Sequence, residues 1–242
     1  MSKTAILSDI HGNISALRNV LSDAEKMGVD KFIILGDVID YGMHSNEVIE
    51  ELRKMDDRII CNIWGNHEYA VMNEDYGRFS SERAKNSAKY TRSILNEDSI
   101  GYINGNMDER TTAELTLDGK KILCIHGIMK ERYWAPIDIS SDLSSYSQYD
   151  YVLSGHNHIP HCFDNYYEID DPKMRNRRKC IFINPGSVGQ PRNQNSRAQY
   201  CIIDFGTEEI MFRKVEYDIQ SEMDAFNGKV DDYYRERLRY GV

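Results

Sequence analysis

Asp9 and His11, Asp37 and Asp40, Asn66 and His67, His126, and finally His156 and His158 each stand just beyond a short apolar run. Carboxylates and imidazoles together are donors that suit borderline divalent ions such as manganese, iron, zinc or nickel. The spacings Asp9-x-His11 and His156-x-His158 would put two donors on one side of an extended chain. A lone histidine is ordinarily a satisfied structural residue. What marks a site is the recurrence of the same donor types at successive strand ends.

The apolar runs that must position these groups alternate with helical patterns. "TAILSD" reads as a strand, Ile14, Leu17, Leu21 and Ala24 follow at helical spacing, and "KFIILGD" is a second strand, which makes a βαβ opening. A short helix through Val48, Ile49 and Leu52 leads to a third strand in "RIICNIWGN", so parallel pairing is expected. Residues 80–95 predict another helix, with Ala84, Ala88, Thr91 and Leu95 on one side. The second half is richer in strands. "AELTLDGKKILCIHG" is a hairpin turning at Asp118-Gly119, and "YDYVLSGH", "KCIFINPGS", "QYCIIDF" and "EIMFRKVEY" follow. Strands of open α/β sheets aim their carboxyl ends at a common crevice, which gives the polar groups one shared destination. Met223, Phe226, Val230 and Tyr233 predict an amphipathic helix over 218–242, packed on its own domain or on a partner helix.

The 242 residues, 40% of them hydrophobic, suffice for one α/β domain spanning 1–242, and no internal repeat or low-complexity linker divides it. A formal net charge of −9 argues against a broad nucleic-acid or anionic-membrane surface. Five scattered cysteines, with Cys61, Cys124 and Cys201 inside apolar runs, read as small buried residues and favour a reducing cytoplasm. No run approaches a membrane span, and the first apolar segment turns polar too soon for a signal peptide.

"SDIHGN", "LGDVIDYG", "WGNHE", "CIHG" and "SGHNH" occur in that order over residues 8–158, and in this the chain resembles the calcineurin-like metallophosphoesterases. "NPGSVGQPR" at Asn184–Arg192 and the closing "FRKVEYD" are similar to small bacterial phosphodiesterases of that group, some of which resemble diadenosine tetraphosphate hydrolases. The resemblance implies a four-layer α/β/β/α sandwich of two mixed sheets flanked by helices, with a two-metal site. It implies that Asp9, His11 and His158 hold one metal, that Asn66, His126 and His156 hold the other, and that Asp37 bridges them. Two neighbouring cations repel and need shared negative charge between them, which gives a bridging carboxylate an independent rationale. His67 would then bind the phosphoryl oxygen or protonate the departing alkoxide, oriented by Asp40. The implied reaction is in-line attack on phosphorus by hydroxide formed on the metals, manganese foremost among them. Asp40 also reads as a turn or cap residue.

One departure bears on substrate. Asp40, Tyr41 and Gly42 stand where the protein phosphatases of this superfamily carry Asp-Arg-Gly, which removes an arginine that grips phosphomonoesters. Arg192 could supply a substitute cation or be an ordinary surface arginine. Asn13 could help bind an anion at the first helix or simply cap it. Tyr69, Tyr133 and Trp134 could stack a nucleobase or pack in the core, and the basic run Lys173–Lys179 could recruit a polyanion or be a solvated hairpin tip. No G-x-S-x-G elbow or cysteine–histidine pair offers a protein nucleophile. The expected function is metal-dependent hydrolysis of phosphodiester or phosphoanhydride bonds in small, nucleotide-like substrates. The alternatives are a phosphomonoesterase, a nuclease and a non-catalytic metal-binding scaffold.

Overall fold

Apolar side chains leave β1 (Lys3–Leu7) on both faces, Ala5 and Leu7 toward one core and Ile6 toward another. A strand covered on both sides reads as an unbroken apolar run, and its period-2 alternation sorts residues between the two cores. In this computed structural model, which describes residues 3–242, β2 (Val29–Ile34) and β3 (Ile59–Asn62) follow in parallel, connected through α1 (Ile14–Lys26) and α2 (Ser45–Lys54). Asn13 starts α1 by accepting a hydrogen bond from the Ala16 N–H at 2.9 Å, and Leu17, Val20 and Ala24 line its buried face.

After α3 (Asn66–Met72), α4 (Glu82–Ile94) and α5 (Glu97–Asn106), the chain enters a second sheet at β4 (Thr112–Leu117) and β5 (Lys120–Ile125). Asp118 and Gly119 join these two strands with φ of 49° and 77°, the two positive values that a tight hairpin turn of this hand requires. β6 (Tyr151–Ser154), β7 (His161–Glu168) and β8 (Arg177–Asn184) complete this sheet in the order β4-β5-β6-β8-β7. β9 (Ala198–Asp204) and β10 (Glu209–Val215) return to the first sheet, ordered β10-β9-β1-β2-β3. Both sheets are mixed: in the first, β1, β2 and β3 run parallel and β9 and β10 add antiparallel on one side, and in the second the parallel strands β5, β6 and β8 are flanked by antiparallel β4 and β7.

Ile6, Ile33, Cys61 and Ile203 of the first sheet meet Ile122, Cys124, Leu153 and Ile183 of the second in a layer of buried apolar side chains. The helices gather on the outer face of the first sheet, over Leu7, Phe32, Ile34 and Tyr200. On the second sheet, Leu123, Val152 and Phe182 are covered by Ile137, Leu143, Tyr146 and Tyr149, a loop with a single 3-10 turn at Ser144–Tyr146. The expected sandwich of two mixed sheets flanked by helices is therefore present, with its second outer layer thin. Among the described residues no helix is long and apolar enough to cross a membrane.

Two elements differ from the sequence expectation. β7 and β8 extend as a ladder from His161 to Glu168 and Arg177 to Asn184, so the hairpin tip is only 169–176. β7 hides in sequence because it alternates half-buried and exposed residues at a sheet edge, with no apolar run. The C-terminal stretch is two helices, α6 (Ile219–Asp224) and α7 (Asp232–Tyr240). Gly228 at φ 76° turns the chain out of the helical region, and Asp231 opens α7 by accepting from the Tyr233 N–H at 2.9 Å. Met223 and Val230 are buried all the same, which is why their spacing suggested one helix.

Glu222 fixes α6 in place. One of its oxygens accepts from the Ser15 N–H at 2.7 Å at the start of α1, and the other takes the His44 Nδ1 at 2.9 Å at the start of α2. The bond to Glu222 raises the His44 pKa above its ordinary value, against the opposing effect of burial. A group raised in the folded state contributes its full stabilisation below the unfolded pKa of about 6.5 and loses it as pH rises through the folded value. The unfolding free energy lost in His44→Gln should thus be largest near pH 6, roughly 1 kcal/mol, and should shrink by about pH 9. Denaturant melts of both proteins at the two pH values measure it, and a pH-independent difference would show that His44 donates as a neutral ring.

Candidate active site

The polar groups at the strand ends do converge. Asp9 and His11 follow β1, Asp37 and Asp40 follow β2, Asn66 and His67 open α3 after β3, His126 follows β5, and His156 and His158 follow β6. They do not converge by the extended-chain logic, however. Asp9, His11, Asp37, Asp40, His156 and His158 all have φ between 48° and 74°, in the left-handed region. Such residues are held at a cost of about 1–3 kcal/mol each and persist only where surrounding bonds over-determine them. Those bonds are present: Asp9 N–H donates to the Gly36 carbonyl at 3.1 Å, His11 N–H to the Asp37 carbonyl at 2.9 Å, and Gly42 N–H to the His11 carbonyl at 3.0 Å. Gly65 is required where it stands, because a Cβ there would fall inside the Asp37 carboxylate.

Two donor groups result, each with its ligand atoms within 4.8 Å of one another: Asp9, His11, Asp37 and His158, then Asp37, His126 and His156. Asp37 belongs to both. All but His156 are buried outright, and the Asn66 amide oxygen lies 3.1 Å from His126 Nε2 and 2.9 Å from His156 Nδ1.

The arrangement fits cations on three counts. His11, His126 and His158 each direct Nδ1 at a backbone carbonyl, of Ile39 (3.2 Å), Leu35 (2.7 Å) and Gln190 (2.6 Å). With Nδ1 donating, Nε2 carries a lone pair, the tautomer in which metal-binding histidines are held. The Nε2 atoms of His11 and His158 then face each other at 3.2 Å, two acceptors with no proton between them. Asp9 Oδ1 is buried without a hydrogen-bond partner, 3.3 Å from His158 Nε2. The Asn66 oxygen also stands 3.2 Å from Asp37 Oδ2 and from the Tyr133 carbonyl, a crowd of acceptors that either a cation or a reversed amide would satisfy.

Charge states agree with this at three of the four rings, while His126 holds a proton against Asp37 when no cation is bound. Burial pushes His11 and His158 well below the usual imidazole value and takes His156 down to about 3, with His126 adding to the shift, so these rings are neutral and able to coordinate. Asp9 is raised by burial to about 7. Burial works against both charges of the remaining pair, but Asp37 and His126, 3.3 Å apart, overcome it, so the carboxyl is held low and the imidazole reaches about 9.

His67 is built differently. Its Nδ1 lies 2.7 Å from Asp40 Oδ2, while Asp40 Oδ1 accepts from Ser87 Oγ (2.6 Å), Thr91 Oγ1 (2.9 Å) and the Tyr41 N–H (2.7 Å). Burial disfavours the imidazolium, but Asp37 and Asp40 outweigh it and raise the His67 pKa. Only the Tyr41 bond is the local turn contact suggested by sequence. The other three lock Asp40 to α3 and α4.

A cleft of about 510 Å³ opens over these groups, with Asp37, His67, His156 and His158 in its floor, which is the scale of a small-molecule site. Arg192 and Trp134 line it. Asn13 does not: it is 1% exposed, and its amide is spent capping α1 and donating to the Gly189 carbonyl at 3.1 Å, which corrects the anion-binding expectation. Tyr69 and Tyr133 pack against each other with tilted rings at 4.7 Å, and Tyr133 donates to the Glu109 carbonyl, so both are engaged in packing. No residue of the Lys173–Lys179 run lines the cleft. Sequence reasoning missed Glu68, whose carboxylate accepts from the N–H groups of Asp37, Val38, Ile39 and Gly65 at 2.7–3.2 Å, although it stands within "WGNHE". It also missed Ser87 and Thr91, whose i, i+4 spacing on one face of α4 was the available signal, and the cleft residues Arg78, Arg83, Tyr233, Tyr234 and Arg237.

Comparisons with known proteins identify the family and the fold. An uncharacterized protein of Methanocaldococcus jannaschii is 30% identical over 99% of this chain and 98% of its own length. The crystal structure of a metallophosphoesterase from Sphaerobacter thermophilus covers 99% of this chain and all of its own, with a TM-score of 0.77 and 26% identity. A hypothetical protein from Pyrococcus horikoshii shares the fold, with a TM-score of 0.79 over 100% of this chain and 99% of its own at 20% identity. Residues 3–208 match the calcineurin-like phosphoesterase superfamily domain. With that match covering most of its length and buried carboxylate–imidazole clusters at its strand ends, this chain belongs to the calcineurin-like phosphoesterase superfamily and is a metal-dependent phosphoric ester hydrolase.

Proposed function

We propose that the protein hydrolyses phosphodiester or phosphoanhydride bonds of small, nucleotide-like substrates at a two-metal centre. The observation that carries this reading is the pair of donor clusters sharing Asp37, with the His67–Asp40 pair beside them in one cleft floor. Asp9, His11 and His158 would hold one ion, Asn66, His126 and His156 the other, and Asp37 both. Oxygen and imidazole donors suit manganese first, with iron, zinc or nickel as substitutes. Divalent ions bound there supply Lewis-acid polarisation of the phosphoryl group and lower the pKa of an attacking water.

The chain's own groups do the rest. Asp40 Oδ2 accepts a hydrogen bond from His67 Nδ1–H, which fixes the ring and leaves Nε2 as its free nitrogen in the cleft wall. From there an imidazolium donates a proton to the departing oxygen, or a hydrogen bond to a phosphoryl oxygen. Arg192, half-buried in the same wall, adds positive charge to the cleft that receives the substrate's phosphates. Tyr41, in the position of the phosphatase arginine, is not an anion grip. Its ring packs against His11 at 4.6 Å, His67 at 4.4 Å and Tyr234 at 4.1 Å, which supports a substrate class other than phosphoproteins. Trp134 in the cleft lining offers an aromatic surface to a base or aryl group.

Asp37→Asn should lower the content of both metals together, because a neutral amide cannot offset two adjacent cations, and turnover should drop more than about 10²-fold. Elemental analysis of the purified variant tests this, and full two-metal occupancy would exclude the bridging role. His67→Ala should keep its metals and lose roughly 10²–10⁴-fold in turnover on an alkyl phosphodiester while losing far less on a nitrophenyl one. Equal losses on the two leaving groups would replace proton donation by phosphate binding as the role of His67.

A further inference from the structure

α7 reaches the cleft with Tyr233, Tyr234 and Arg237, and there it meets Arg83 of α4 and Arg192 of the loop after β8. Among the described residues none of these three arginines pairs with an Asp or Glu side chain, whereas Arg78 at the same cleft pairs with Glu131, and Arg178, Arg197 and Arg213 elsewhere pair with Asp150, Glu216 and Asp23. Arg237 is only 8% exposed. Its Nε donates to the Val242 carbonyl, and its guanidinium lies over the Tyr233 ring at 4.9 Å. Arg83 lies over that ring too, at 4.0 Å, and the buried Nε of Arg192 has no partner.

A guanidinium taken out of water without a counter-ion is costly, and two neighbouring ones repel. The cost registers here: burial and the charge of Arg192 bring the Arg237 pKa down to about 10. Aromatic faces recover part of it through cation–π attraction, but they leave the planar donors of the guanidinium forks unused. Arg192 follows the loop that receives His158 Nδ1 on the Gln190 carbonyl, so this positive wall begins directly beside the metal-ligand cluster. Planar forks with spare N–H donors match the oxygens of a phosphate better than any group the protein itself presents.

We propose that Arg83, Arg192 and Arg237 form a site for a second phosphate of the substrate, one that is not attacked, so that phosphoanhydride-bearing esters are preferred over lone phosphodiesters. This rests on the hydrolytic reading above and adds to it a specificity element carried on the C-terminal helix. The test compares diadenosine tetraphosphate with bis(4-nitrophenyl) phosphate on the manganese-loaded enzyme. In Arg83→Gln, at an exposed helical position, and in Arg237→Met, the ratio of kcat/KM for the tetraphosphate to that for the diester should fall at least about tenfold, mainly through KM. The Ki of methylenebisphosphonate against diester hydrolysis should rise in parallel, and the exposed position of Arg83 keeps the test valid if Arg237→Met fails to fold. An unchanged ratio with an unchanged Ki overturns the proposal, as does stronger inhibition by malonate than by methylenebisphosphonate, which would assign the site to carboxylates. Hydrolysis of the diester without hydrolysis of the tetraphosphate also overturns it and leaves the hydrolytic reading standing. Hydrolysis of neither overturns that reading itself.

Discussion

Four backbone N–H groups from two loops end on one carboxylate, and much of the site hangs from it. Glu68 is fully buried, and it joins the loop after β2 to the start of α3 through Asp37, Val38, Ile39 and Gly65. An isolated buried carboxylate would cost several kcal/mol, and four charge-assisted bonds of roughly 1.5–3 kcal/mol each offset that cost. Asp37 sits at φ 53° within this web, and its own Oδ1 accepts from the His67 N–H at 2.9 Å. The carboxylate shared by the two donor clusters and the neighbouring His67 are therefore set by one local network. A shift in any member moves the others.

The sandwich supplies the second constraint. Donors come from both sheets: β1, β2 and β3 deliver Asp9, His11, Asp37 and Asn66, while β5 and β6 deliver His126, His156 and His158. Their mutual distances are fixed by how the sheets pack through Ile6, Ile33, Cys124, Leu153 and Ile183. Cores of this kind are close-packed and transmit strain rather than absorb it. Cross-sheet bonds near the site reinforce the registry, since the His126 Nδ1 reaches the Leu35 carbonyl and the His156 N–H reaches Asp9 Oδ2 at 3.2 Å. The inert-looking middle layer is thus part of the metal geometry.

Much of this was legible in the sequence, for a physical reason. A strand followed at once by Asp or His is a local pattern, so "TAILSD", "KFIILGD" and "YDYVLSGH" announced both the element and the donor it carries. Asp118-Gly119 announced its hairpin in the same way, because a two-residue turn constrains its own residue types. What was not legible depends on partners distant in sequence. Nothing near Glu68 says that it turns away from the cleft to gather amides 30 residues earlier, and Ser87 and Thr91 look like any small face of a helix until Asp40 is placed against them. Asn13 had two physically sound readings, and only the position of Gly189 decides for the cap. The split between α6 and α7 turned on one glycine within an unbroken apolar spacing.

That split has a functional consequence. A single straight helix would carry Tyr233 onward in line with Met223, whereas the turn at Gly228 lets α7 fold back while Glu222 holds α6 against the starts of α1 and α2. Tyr234 then stacks on Tyr41, Tyr41 meets His67 edge-on, and His67 contacts Phe79 at 5.0 Å, so an aromatic column runs from the C-terminal helix to His67 and Phe79. Aromatic contacts of this kind each contribute about 0.5–1.5 kcal/mol beyond their buried area, enough to favour one placement of α7 over others. The arginine-bearing cleft wall of α7 and His67 are parts of one packed unit, so the proposed second-phosphate site and the proposed proton donor are mechanically joined. Recognition at the first can therefore fix geometry at the second without any residue spanning the distance alone.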